Sequence, residues 1–146
     1  MKKTKELHFY AVALLILAVF DLIMIAVGFL AGDYAMIVNE SALVQAVTNA
    51  IIIVVLVCSL ISVLVSAYLG VKGLMEVKKP TNCKTHILLA KIAAIFNIVL
   101  AVIMGLALFG STDLSEDITT FGICVVDAMF MFSYANAAKA VQNGEE

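Results

Sequence analysis

The sequence predicts an all-α membrane protein, a four-transmembrane-helix antiparallel bundle. Composition, four long apolar runs and the placement of the lysines support this prediction. The chain has 146 residues, of which 64% are hydrophobic and 14% are charged. Soluble domains are about 45–50% apolar and about 25% charged. An apolar excess of this size predicts a single transmembrane domain over residues 1–146, folded in the lipid bilayer.

Each apolar run is long enough for the roughly 20 residues that a helix needs to cross a bilayer. The runs lack the period-2 alternation of a membrane β-barrel. A loop is expected at 73–84, where Pro80 interrupts no helix. The expected helices span about 7–32, 43–72, 85–109 and 118–141.

The lysines indicate the orientation of the chain. Three precede the first run, and four lie in the 73–84 loop or beside it, whereas the other two connections hold acids and no Lys. Cationic loops stay on the cytoplasmic side of a membrane. We therefore expect a multi-pass protein of the plasma membrane with both termini and this loop in the cytoplasm. The start MKKTK favours a bacterial chain.

The first and third runs resemble each other. The segment AVFDLI at 18–23 aligns with AIFNIV at 94–99, so that Asp21 corresponds to Asn97. Two hairpins of the same orientation are typical of a duplicated unit. Chance similarity between apolar helices is the alternative, and we favour duplication into two tandem helical hairpins.

Polar residues of the four runs share a depth. A helix rises about 1.5 Å per residue. Counted from the Lys-rich ends, four of them lie about 18–20 Å deep, near the middle of the bilayer, and Ser62 shares a helical face with one of them. Together they form a predicted intramembrane polar layer of Asp21, Ser59, Ser62, Asn97 and Asp127.

Small residues lie on the same helical faces as this layer. In lipid, small side chains let two helix backbones approach, and polar side chains form hydrogen bonds between helices. We therefore expect Ala18, Gly28 and Ala94 at helix–helix contacts, with the large aliphatic side chains facing lipid.

The two acids need a physical reason, because a charge near the bilayer centre costs at least ~2.5 kcal/mol. In a structural interpretation both are protonated, since burial disfavours the charged form, and they donate hydrogen bonds to Asn97, Ser59 or Ser62. In a functional interpretation Asp21 and Asp127 exchange protons or bind a cation. We favour the structural interpretation.

No catalytic or nucleotide-binding motif occurs, and the three cysteines form no CxxC pair, so neither an enzyme, a metal site nor a cofactor is expected. No block of charge predicts nucleic-acid binding. We expect a small non-enzymatic membrane protein acting through intramembrane helix–helix contacts. Its partners would be the lipid bilayer and either a second copy or a larger membrane protein. The alternative is a small oligomeric proton- or cation-coupled transporter or channel using Asp21 and Asp127.

Overall fold

The computed structural model describes residues 2–32, 41–80, 84–108 and 114–144. Each of its four helices is long and apolar enough to cross a membrane. The all-α four-helix bundle predicted from the sequence is therefore confirmed. The helices are α1 Lys2–Ala31, α2 Ala42–Lys78, α3 Thr85–Leu108 and α4 Leu114–Gln142.

The second helix is longer than the sequence predicted, which corrects the expected loop at 73–84. Helix α2 continues through Lys78, and the backbone N–H of Lys79 still donates to the carbonyl oxygen of Met75 at 2.9 Å. The sequence LMEVK at 74–78 holds good helix formers. Pro80 lacks a backbone N–H and disfavours helical backbone at the residue before it, so the helix ends there.

The helices pack as two hairpins joined along one side. Helix α1 packs along α2, α3 packs along α4, and α1 also packs against α4. Helix α2 approaches α3 and α4 only sparsely, and within the described residues α1 and α3 do not pack against each other. The bundle is therefore well packed at the α1–α4 seam and loose at the α2–α3 seam.

Packing is uneven along the bundle axis, and two halves can be distinguished. The Lys-rich half comprises residues 2–18, 66–80, 84–94 and 128–144, and the opposite half comprises 19–32, 42–65, 95–108 and 114–127. The hydrophobic core lies in the Lys-rich half, with Leu7, Leu69, Ala90 and Tyr134 among its fully buried members. In the opposite half, none of the side chains described between 42 and 65 is buried.

Two glycines of α2 bring the helices together in the Lys-rich half. A Cβ atom added at Gly70 would lie 2.8 Å from the carbonyl oxygen of Ala11. One added at Gly73 would lie 2.6 Å from the Tyr134 ring and 2.7 Å from the Cβ atom of Ala11. All three distances are shorter than van der Waals contact, so only glycine permits this approach of α1, α2 and α4.

Candidate functional site

The two intramembrane acids lie on helices that pack against each other. Asp127 of α4 is buried, with 4% of its surface exposed, and Asp21 of α1 is half-buried. Their carboxyl groups lie within electrostatic range of each other, and both lie within range of the Cys124 thiol. The structure thus brings the two acids into one neighbourhood.

Asn97 lies near this neighbourhood but bonds elsewhere. It is 5% exposed, and its Nδ2 donates to the sulfur of Met131 on α4 at 3.5 Å. The Oδ1 atom of Asp127 is buried and has no hydrogen-bond partner among the described residues. The expected bond between an acid and the Asn97 amide is therefore replaced by an amide–sulfur contact that joins α3 to α4.

The two serines expected in the polar layer lie outside its buried part. Ser59 and Ser62 are half-exposed, and the Ser59 hydroxyl donates to the carbonyl oxygen of Val55 in its own helix at 2.9 Å. A hydroxyl bonded to its own helix needs no acceptor on another helix. The buried serine of α2 is Ser66, in the part of the helix that packs against the bundle. The buried members of the predicted layer are therefore Asn97 of α3 and Asp127 of α4.

The three small residues expected at helix contacts lie inside the bundle. Ala94 of α3 is fully buried, and Ala18 of α1 is nearly so. Gly28 of α1 is also buried, in the opposite half. They belong to the helical faces that carry Asp21 and Asn97.

A second polar group, which the sequence analysis did not identify, lies in the Lys-rich half. Glu76 of α2, His86 of α3 and Tyr134 of α4 are 3%, 1% and 0% exposed, and we refer to them as the Glu76 cluster. The rings of His86 and Tyr134 meet edge to face, with centroids 6.1 Å apart and planes at 72°. Glu76 lies within electrostatic range of both rings. Three helices thus contribute one ionisable side chain each.

Four buried polar atoms have no hydrogen-bond partner in the described part of the chain: Ser66 Oγ, His86 Nε2, Asp127 Oδ1 and Tyr134 OH. Buried polar atoms of this kind are usually satisfied by protein or internal water. Asp127 and Tyr134 are two turns apart on one face of α4, about 10 Å along the axis. On α2, Ser66 is likewise two turns from Gly73, and Gly73 lies against the Tyr134 ring. The four atoms therefore occupy two levels, with Asp127 and Ser66 at one and Tyr134 and His86 at the other, nearer the lysines.

The sequence does carry a signal for the Glu76 cluster. Ser66, Leu69, Gly73 and Glu76 follow one another at three- and four-residue steps, which places them on one helical face. This periodicity continues into the first residues of the expected 73–84 loop. Continuing the helix to the last turn before Pro80 would have placed Glu76 on the buried face.

Comparison of the chain with protein-family models, with curated proteins and with solved structures gave no match. Over the residues that the structure describes, no group of three His, Cys, Asp or Glu side chains is placed to hold a metal ion. The function of the site must therefore be inferred from its own side chains.

Proposed function

We propose that the chain is a small non-enzymatic integral membrane protein that acts through intramembrane helix–helix contacts, either as an accessory subunit or by self-association. The observation that supports this is the contrast within α2. Ser66, Leu69, Gly70, Gly73 and Glu76 are buried by the other helices. The described side chains at 42–65 are all exposed or half-exposed. This stretch is the proposed contact surface.

Polar side chains strengthen the assignment of this surface. Gln45, Thr48 and Ser62 lie on one face of α2 and are half-exposed. Hydrogen bonds between transmembrane helices contribute roughly 0.6–2 kcal/mol each. A helix from a second copy, or from a larger membrane protein, would cover this face and the loose α2–α3 seam together.

The native thiol at Cys58 allows a direct test, because it lies half-exposed within the proposed surface. In a variant with Cys83→Ala and Cys124→Ala, mild oxidation or a short thiol cross-linker in native membranes should link Cys58 to a neighbouring chain. A matched control moves the only thiol to the lipid-exposed face of α3, as Cys58→Ala with Ile103→Cys.

The size of the adduct separates the two forms of the proposal. An adduct of twice the chain mass indicates self-association, and an adduct of another mass indicates an accessory subunit. Equal cross-linking at positions 58 and 103 would show that α2 is no preferred contact surface.

We further propose that both termini and the Lys-rich connection face the cytoplasm of a bacterial plasma membrane. The support is the clustering of lysines at these ends. Cys83, which lies outside the described residues, is the natural reporter. An impermeant maleimide should leave Cys83 unlabelled in intact cells and label it in inverted vesicles. Labelling of Cys83 from outside intact cells would show that the orientation is the opposite of the one proposed.

One observation favours a second candidate function, proton- or cation-coupled transport through an oligomer. The buried Asp127 Oδ1 has no hydrogen-bond partner among the described residues and lies near Asp21. Ser66 Oγ lies at the same level as Asp127, and the unpartnered atoms of Tyr134 and His86 lie between that level and the Lys-rich end. A proton entering from that end would meet these atoms before reaching the acids. Asp21 and Asp127 would then be the coupling acids.

Asp→Asn variants decide between the two functions, because the amide reproduces the shape of the neutral acid. Under helix–helix association, Asp21→Asn and Asp127→Asn should leave the melting temperature and the Cys58 adduct unchanged, and liposomes should show no pH-driven flux. Suppose instead that the wild-type protein shows a flux and Asp127→Asn abolishes it without changing the melting temperature. That result would favour transport over helix–helix association.

A further inference from the structure

One face of the α3–α4 pair carries two recesses in line with each other. The recess at the Lys-rich end has a volume of about 220 Å³, and a larger recess of about 460 Å³ lies in the opposite half. Lys91 and Ile98 line different recesses and are two turns apart on α3, as are Lys139 and Phe132 on α4. Residues two turns apart share a helical face, so the recesses lie about 10 Å apart along one groove.

The smaller recess is cationic. Its lining includes Lys84, Lys91 and Lys139, from the start of α3 and the end of α4, and no acidic side chain. Three lysines at the edge of a membrane span attract an anionic group by about 1 kcal/mol each. This recess has the charge and position to hold a phosphate at the membrane surface.

The larger recess is apolar and open to the lipid. Ile98, Val102 and Met129 are among its lining residues and are 45–65% exposed, and none of the lining side chains is polar. Gly105 and Phe121 line its far end. The groove from Lys91 to Gly105 is about 21 Å long, compared with about 15 Å for half of the hydrocarbon core. A hydrocarbon chain anchored at the lysines would therefore reach well into this recess.

We propose that this groove binds one anionic phospholipid from the leaflet at the Lys-rich end. Its phosphate lies among Lys84, Lys91 and Lys139, and one acyl chain follows the α3–α4 groove past Val102. Charge selects the headgroup, and the apolar recess holds the chain. This site is separate from the proposed contact surface on α2 and from the acid pair. Lipid binding there is therefore compatible with either candidate function.

The full chain, purified in an uncharged detergent, provides the test. Phosphatidylglycerol and phosphatidylcholine with identical acyl chains are titrated, and bound lipid is counted by native mass spectrometry. Phosphatidylglycerol should bind at one site at least about tenfold more tightly than phosphatidylcholine. Equal binding of the two lipids would overturn the proposal.

Matched lysine variants separate a site from general surface attraction. Replacing the three recess lysines, as Lys84→Gln, Lys91→Gln and Lys139→Gln, should weaken phosphatidylglycerol binding at least about tenfold. The control replaces three exposed lysines outside the recess, as Lys5→Gln, Lys78→Gln and Lys79→Gln. An equal loss of phosphatidylglycerol affinity in the control would show that the whole Lys-rich end attracts the lipid. It would overturn the proposal of a specific site.

A groove-filling variant tests the acyl chain. Val102→Trp should fill the apolar recess and weaken phosphatidylglycerol binding, whereas Ile103→Trp, equally exposed on the neighbouring face, should not. Glycerol 3-phosphate, the headgroup without its chains, should compete poorly. Full competition by glycerol 3-phosphate, together with unchanged binding in Val102→Trp, would assign the lysines to a soluble phosphate and contradict a lipid site.

Discussion

The two halves of the bundle are built from the same four helices but differ in how those helices approach. In the Lys-rich half, α1, α2 and α4 meet at Ala11, Gly70, Gly73 and Tyr134. In the opposite half, the described side chains of α2 from 42 to 65 are not buried. The better-packed Lys-rich half holds more charged residues than the opposite half, so apolar content does not decide where the helices pack.

Side-chain size accounts for the difference. The end of α4 reads YANAAKA, and α2 carries Gly70 and Gly73 in the Lys-rich half. In the opposite half, α2 has no Gly, and its residues 51–65, IIIVVLVCSLISVLV, also lack Ala. Lipid tails are as apolar as these side chains, so burial against another helix gains little unless small residues allow close contact. Helix α2 therefore packs closely at its glycines, and the described side chains of its bulky stretch at 51–65 are not buried.

The largest expected effect tests whether Tyr134 holds the Lys-rich half together. Tyr134→Ala removes a fully buried ring that contacts His86 and the Gly73 position. We expect a loss of about 3–4 kcal/mol, within the range for large buried aromatics. Unfolding by SDS titration measures it. Phe20→Ala, at a lipid-exposed ring in the opposite half, should cost under about 1 kcal/mol.

Two glycine substitutions, one in each half, should change the free energy of unfolding in opposite directions. Gly70→Ala places a methyl group 2.8 Å from the Ala11 carbonyl oxygen, so the backbone must move, and we expect a loss of about 2–3 kcal/mol. Gly122→Ala in the opposite half meets no atom within 4 Å. The better helix propensity of Ala should there raise stability by up to about 1 kcal/mol. Thermal unfolding in detergent measures both. A neutral Gly70→Ala would remove the proposed reason for the close approach.

Adjacent residues on α3 provide a narrower comparison. Ala94 is fully buried, whereas Ile95 is more than half exposed. Ala94→Leu should overpack the bundle and lower the free energy of unfolding by about 1–2 kcal/mol. Ile95→Leu should have little effect, and Ala18→Leu with Val19→Leu repeats the pair on α1. If both members of a pair are tolerated equally, the inward faces of these helices have been assigned wrongly.

The fold could be predicted from the sequence because lipid leaves few alternatives: long apolar runs must form helices. The seam positions of α1 also followed from small and polar residues at helical spacing, with Ala18 and Gly28 buried. The end of α2 could not be placed by apolar content, because Glu76 and Lys78 resemble loop residues until Pro80 is taken as the stop signal.

The polar layer was harder to predict than the fold. Periodicity places Ser59, Ser62 and Ser66 on one face of α2, but it does not say which turns of that face meet another helix. That depends on whether the side chains nearby are small enough for contact, and only Ser66 lies beside Gly70 and Gly73. Depth and face predicted the neighbourhood of Asp21 and Asp127, whereas the choice of Met131 as partner for Asn97 depends on side-chain reach.

The smallest expected effect distinguishes a dry Lys-rich half from a hydrated one. Tyr134→Phe keeps the ring and its edge-to-face contact with His86, and removes a hydroxyl that has no hydrogen-bond partner among the described residues. Because no protein bond is lost, the free energy of unfolding should change by less than about 0.5 kcal/mol. Tyr68→Phe, at a more exposed ring of α2, is the matched control. A loss above about 1 kcal/mol in Tyr134→Phe alone would mean that the hydroxyl is bonded to internal water. Water at Tyr134 would form part of a hydrated route from the Lys-rich end to Asp127. It would favour proton-coupled transport over helix association.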